Sequence, residues 1–150
     1  MDKISIIVPC WNEEAALPIY YKEMSRIMGQ MDTDFELIFV DDGSADKTLE
    51  EMKKLHEIDA RCRYLSFSRN FGKESAIYAG LKYATGTYIS IIDADLQQDP
   101  EIVRNMVKIL DEKPEVDVVA AYQEQRHEGK LMGCCKDRFY KFINRLSEVD

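Results

Sequence analysis

At 150 residues, 45% hydrophobic and 32% charged, the chain holds enough apolar material for one domain with a core. A formal net charge of −8 argues against a nucleic-acid binder, which would present a basic face. Cys10, Cys62, Cys134 and Cys135 show no metal-ligand spacing, and a chain of this size needs no disulfide staples, so reduced cytosolic thiols are expected. The apolar run at residues 4–8 is too short for a secretory h-region, and no stretch is long enough to span a bilayer, so the chain is expected to be soluble.

Strand and helix patterns alternate along the chain. Residues 3–8 read as a nearly all-apolar strand, and residues 17–29 as a helix with Pro18 in its first turn. A second buried strand is expected over 35–40. Ser44 is expected to cap a helix from 45 to about 58. A third strand (63–67), a third helix (74–84) and a fourth strand (87–92) follow. Asp99-Pro100-Glu101 is a helix start: a capping carboxylate, a proline at the first position, then an acid near the positive end of the dipole. That helix should reach about residue 112. A fifth strand is expected over 116–121, a loop over 122–133 and a last helix over 136–146. Strands separated by helices imply an α/β fold: a mainly parallel, Rossmann-like sheet with helices on both faces. Ligands bind such sheets at the carboxyl ends of the strands.

The most informative segment lies at the end of the fourth strand, where a β-branched run stops at Asp93-Ala94-Asp95-Leu96-Gln97. Residues two apart on an extended segment point to one side, so Asp95 and the Gln97 amide oxygen suit direct ligation of Mg²⁺ or Mn²⁺. Asp93 would hold a ribose or a metal-bound water. Such a cation usually grips substrate phosphates as well, and an acidic protein needs it to receive an anionic diphosphate. Asp41-Asp42-Gly43-Ser44 closes the second strand, where a carboxylate could accept hydrogen bonds from a nucleobase or a ribose. Pro9-Cys10-Trp11-Asn12-Glu13-Glu14 follows the first strand. No dinucleotide-binding glycine fingerprint stands there, and Trp11 either packs near a base or is a half-buried aromatic. After the third strand, Arg69 and Lys73 could contact phosphates or form a solvated basic turn. Arg126, Lys130, Lys136, Arg138, Lys141 and Arg145 make the last segment basic, either a solvated face or a surface for an anionic acceptor or lipid.

Four segments, in order and in register, together resemble a family-2 inverting glycosyltransferase of the GT-A fold. They are Val8-Pro9-Cys10-Trp11-Asn12-Glu13-Glu14, Val40-Asp41-Asp42-Gly43-Ser44, Arg69-Asn70-Phe71-Gly72-Lys73 and Asp93-Ala94-Asp95-Leu96-Gln97-Gln98-Asp99-Pro100. The third and fourth strings, and Phe139-Tyr140-Lys141-Phe142-Ile143-Asn144, are similar to the branch of dolichol-phosphate mannose synthase and bacterial undecaprenyl-phosphate glucosyltransferases.

The resemblance implies metal-dependent transfer of a sugar from a nucleotide sugar, UDP-glucose first, to a polyprenyl phosphate. Pro9, Trp11, Glu13 and Asp42 would surround the nucleoside, and Asp93 and Ala94 would approach ribose and phosphates. Asp95 and Gln97 would hold the metal, and Arg126 would face phosphate, so Asp93, Asp95 and Arg126 stand as the catalytic candidates. The resemblance further implies that the chain is the nucleotide-sugar-binding part of a truncated catalytic domain. The full-length protein would work on the cytoplasmic side of a membrane reached through a missing C-terminal part. The alternatives are transfer to a saccharide hydroxyl, a nucleotidyltransferase, or a nucleotide-binding fragment without activity.

Overall fold

The computed structural model describes residues 3–31, 33–95 and 101–121. The chain divides into two units, residues 1–119 and 120–150; of the second, only Ala120 and Ala121 are described. Among the described residues of the first unit, four strands and four helices alternate. The strands are β1 (Lys3–Cys10), β2 (Asp34–Asp41), β3 (Cys62–Ser66) and β4 (Tyr88–Ile91). The helices are α1 (Leu17–Met28), α2 (Thr48–Ile58), α3 (Lys73–Tyr83) and α4 (Glu101–Glu112). All strand pairs are parallel, in the order β3-β2-β1-β4.

The alternation of side chains in the two central strands sets the layering. Ile4, Ile6, Val8 and Cys10 of β1 and Phe35, Leu37 and Phe39 of β2 face one side. There they join Leu17, Tyr20 and Met24 of α1, Met52 and Leu55 of α2, and Val103 and Val107 of α4. Ile38 and Val40 face the other side, against Ala76 of α3. Gly80 lets α3 approach closely: a Cβ there would stand 2.4 Å from the Ile7 side chain. Strands buried on both faces are written as continuous apolar runs, which is why β1 and β2 were legible as buried parallel strands.

A buried acid ties together the amino-terminal edge of the sheet. Glu36 is 2% exposed. Its Oε1 accepts hydrogen bonds from Ser5 Oγ (2.6 Å), the Thr85 N–H (2.9 Å) and Thr85 Oγ1 (2.9 Å). Its Oε2 faces Arg63 at 3.0 Å and Lys3 at 3.1 Å. One carboxylate thus joins β1, β2, β3 and the turn before β4. Burial alone would raise its pKa, but the hydrogen bonds from Ser5, Thr85 and Arg63 outweigh burial and hold it at about 2.

Two sequence expectations need correction. Ser44 does not cap α2, which starts at Thr48. The intervening residues pair instead with the loop after β1: Ser44 Oγ accepts the Asn12 N–H, and Asn12 Oδ1 accepts the Ala45 N–H, both at 2.9 Å. Asp46 Oδ2 accepts the Glu14 N–H, and Glu14 Oε2 the Lys47 N–H. The second correction concerns residues 116–121, which form no strand. They pair with no strand among the described residues, and Val118 is 80% exposed. Their β-branched composition gives propensity, but a strand also needs a ladder partner and a surface to pack on. The expected loop over 122–133 and helix over 136–146 lie outside the described residues. No described helix is long and apolar enough to cross a membrane.

Glu36 has the sign of a depressed carboxylate. Its contribution is complete above its unfolded pKa near 4.5 and is lost as pH falls through about 2. Urea denaturation should therefore show the wild type losing about 3 kcal/mol more than Glu36→Gln between pH 5 and 2. At the end of β2, Gly43 has φ +68°, and a Cβ there would lie 2.2 Å from the Arg69 carbonyl carbon. Gly43→Ala should lower the unfolding free energy by about 2 kcal/mol or more, measured by the same denaturation.

Candidate active site

The carboxyl ends of β1, β2 and β4, with the loop before α3, enclose a cleft of about 400 Å³. Pro9, Cys10, Trp11 and Glu13 line it from the end of β1, and Asp42 from the end of β2. Asn70 and Gly72 come from the loop, Lys73 from the first position of α3, and Asp93, Ala94 and Asp95 from the end of β4.

Local chemistry places each wall. The β1–β4 ladder ends at Ile7↔Ile91, and the Ile7 carbonyl accepts the Ile92 N–H. Pro9 points the same way as Ile7 but lies beyond that ladder, so its missing N–H breaks no strand pairing. Asn12 takes a left-handed conformation (φ 57°) that asparagine tolerates, and its bonds to the Ser44–Ala45 turn fix the segment carrying Trp11 and Glu13. Trp11 is 57% exposed beside the cleft.

The two acids that end β2 act on different loops. Asp41 Oδ1 accepts the Ser44 N–H at 2.9 Å and its Oδ2 the Ser66 hydroxyl at 2.8 Å. Asp42 is 4% exposed, and its two oxygens accept the N–H groups of Phe71 (2.7 Å) and Gly72 (3.0 Å). Gly72 then turns the chain with φ +97° into α3. Lys73 opens that helix, with Nζ 2.6 Å from Asp93 Oδ1 and 2.7 Å from Oδ2.

The cleft is strongly acidic. Glu13, Asp42, Asp93 and Asp95 line it, and among the described lining residues Lys73 is the one cation. Burial pushes the Glu13 carboxyl up, and the charges of Asp95, Asp46 and Asp93 push it further in the same direction. Burial, with Glu13 and Asp41 nearby, raises the Cys10 thiol well above its usual range, so Cys10 is a packing residue rather than a nucleophile.

Of the residues singled out from sequence, Pro9, Trp11, Glu13, Asp42, Lys73, Asp93, Ala94 and Asp95 meet around this one cleft. Arg69 does not line it; its guanidinium stacks 4.3 Å above the Phe71 ring. Gln97 and Arg126 lie outside the described residues. Sequence reasoning passed over Cys10, Asn70 and Gly72 as lining residues. Asn70 and Gly72 stood in plain view between Arg69 and Lys73, but attention to cations hid the turn residues that shape the wall.

Among the described residues, no group of three His, Cys, Asp or Glu side chains is arranged to hold a metal ion. The donor chemistry nevertheless suits a hard cation. Carboxylates from three strand ends crowd one cleft, and, beside burial, the field of Asp95 and Asp93 already raises Glu13.

Comparison with known proteins agrees with this geometry. The family model described as "Glycosyl transferase family 2" matches residues 5–147. A prophage bactoprenol glucosyl transferase homolog of Escherichia coli is 37% identical over 145 residues, 97% of this chain and 47% of that protein. An uncharacterized glycosyltransferase of Bacillus subtilis, YkcC, is 37% identical over 146 residues, 97% of this chain and 45% of that protein. The chain thus spans less than half the length of these curated relatives. Among solved structures, a mannosyltransferase from Pyrobaculum calidifontis, in complex with GDP-Man and Mn²⁺, superposes with a TM-score of 0.61 at 25% identity. The superposition covers 73% of this chain and 32% of that one. With its parallel sheet, its cleft at the strand ends and a family match over nearly its whole length, this chain belongs to glycosyl transferase family 2 and has the GT-A fold.

Proposed function

We propose that the cleft binds the nucleotide-sugar donor of a metal-dependent, inverting glycosyltransferase whose acceptor is a polyprenyl phosphate. One observation carries the donor assignment. Four carboxylates against one lysine make the cleft repel a bare diphosphate, so an anionic donor enters only with a cation that reverses the local sign. The mannosyltransferase solved with GDP-Man and Mn²⁺ supports this pairing of donor and metal. The name of the E. coli relative supports a polyprenyl acceptor and a glucosyl group, which makes UDP-glucose the first donor to test. Work at the cytoplasmic face of a membrane follows from such an acceptor.

Pro9, Trp11, Glu13 and Asp42 would surround the nucleoside. Asp42 already gives one lone pair of each oxygen to the loop, and the remaining lone pairs can accept from a base or ribose. Trp11 offers an exposed aromatic face for stacking. Asp93 and Ala94 would approach ribose and phosphates, and Lys73 would pair with a phosphate oxygen. Asp95 and Gln97 would hold Mg²⁺ or Mn²⁺, which when bound supplies Lewis-acid stabilisation of the leaving diphosphate. Arg126 would steady the acceptor's charge.

The transfer is a single displacement. A phosphate oxygen of the acceptor forms a bond to the anomeric carbon as that carbon's bond to the diphosphate oxygen breaks. The nucleoside diphosphate leaves with the electron pair, and the anomeric configuration inverts. The second pKa of a phosphate monoester is about 6, so the acceptor is largely dianionic at neutral pH and attacks without surrendering a proton. No catalytic base is therefore required, unlike transfer to a sugar hydroxyl.

Asp95→Ala should weaken UDP-glucose binding in the presence of Mn²⁺ by more than about tenfold, measured by titration calorimetry. Unchanged affinity would remove Asp95 from the metal site.

A further inference from the structure

Lys73 is held in place by the backbone before it. Asp42 fixes the N–H groups of Phe71 and Gly72, and Lys73 follows at once as the first residue of α3. From there its ammonium engages both oxygens of Asp93, at 2.6 and 2.7 Å. Its side chain is 54% exposed and that of Asp93 is 33% exposed. An ion pair this open to solvent is weak enough to exchange partners, whereas a fully buried one would not be. Both groups lie on the cleft wall, so a diphosphate entering the cleft meets Lys73, and a cation entering it meets Asp93.

We propose that Lys73 is a latch on Asp93: without donor it neutralises that carboxylate against a divalent cation, and with donor it passes to the diphosphate. The latch rests on the reading of this cleft as the donor site. It makes cation and nucleotide bind in concert. While Lys73 stays on Asp93, the cation meets a repelling ammonium and an occupied carboxylate. Once a diphosphate draws Lys73 away, Asp93 and its neighbours are exposed to the cation. By linkage, each ligand then strengthens the other to the same degree.

The test is Mn²⁺ titration of the full chain, followed by electron paramagnetic resonance of the free ion without nucleotide, then UDP titration at saturating Mn²⁺. Lys73→Met and Lys73→Gln should each bind Mn²⁺ alone about three- to tenfold more tightly than the wild type, and UDP correspondingly more weakly. In an Asp93→Asn background, Lys73→Met should lose most of its effect on Mn²⁺, because its partner is already neutral. Mn²⁺ affinity that is unchanged or reduced in both lysine variants, in a chain that still binds UDP, overturns the latch and leaves the donor site standing. A wild-type chain that binds neither Mn²⁺ nor UDP overturns the donor site and the latch with it.

Discussion

The geometry of the cleft depends on two adjacent carboxylates at the end of β2. A strand that ends at a ligand-binding edge leaves loop N–H groups that need acceptors. Asp41 meets this need toward the turn that leads into α2, and Asp42 meets it toward the loop that leads into α3. Gly43 then allows the two loops to touch backbone to backbone, against Arg69. The Asn12–Ser44 and Glu14–Lys47 bonds draw in the third loop, from β1. Three separate loops are thereby locked in register by hydrogen bonds, without an apolar core of their own. At the opposite edge, Glu36 does comparable work for the strands and for the turn before β4.

This arrangement shows how one acid pair organises the loops while leaving Asp42 on the cleft wall. A carboxylate oxygen has two lone pairs, and the loops take one from each oxygen of Asp42. Because Asp42 is nearly buried, its carboxylate oxygens are met by two backbone N–H groups rather than by water. The remaining acids, Glu13, Asp93 and Asp95, face the cleft, where their repulsion is relieved in part by Lys73. On the proposed reading, a pocket so charged would select by sign: a diphosphate would gain there only together with a cation.

Much of this was legible in the sequence, for physical reasons. Burial on both faces makes β1 and β2 apolar at most positions, Ser5 and Glu36 being partnered exceptions, so their place in a parallel sheet could be read directly. The acids at the ends of β2 and β4 stood out because such residues are costly beside a buried strand unless they have partners. The partners themselves were not legible. Ser44 before a helix-forming run has the residue type of a cap, yet its hydroxyl accepts the Asn12 N–H, thirty-two positions earlier. Residues 116–121 have strand composition but no ladder among the described residues, and composition cannot reveal that. Arg69, legible either as a phosphate contact or as part of a solvated basic turn, stacks on the Phe71 ring two residues on, a local partner that charge pattern does not reveal.

The central claim is that a divalent cation beside Asp95 accompanies the diphosphate of a nucleotide sugar into this cleft. The most direct measurement is an anomalous difference map from crystals of the full chain grown with Mn²⁺ and UDP. The account predicts one manganese peak within coordination distance of both the Asp95 carboxylate and the diphosphate oxygens. UDP seated in the cleft with no manganese beside Asp95, or manganese bound elsewhere on the chain, would contradict it.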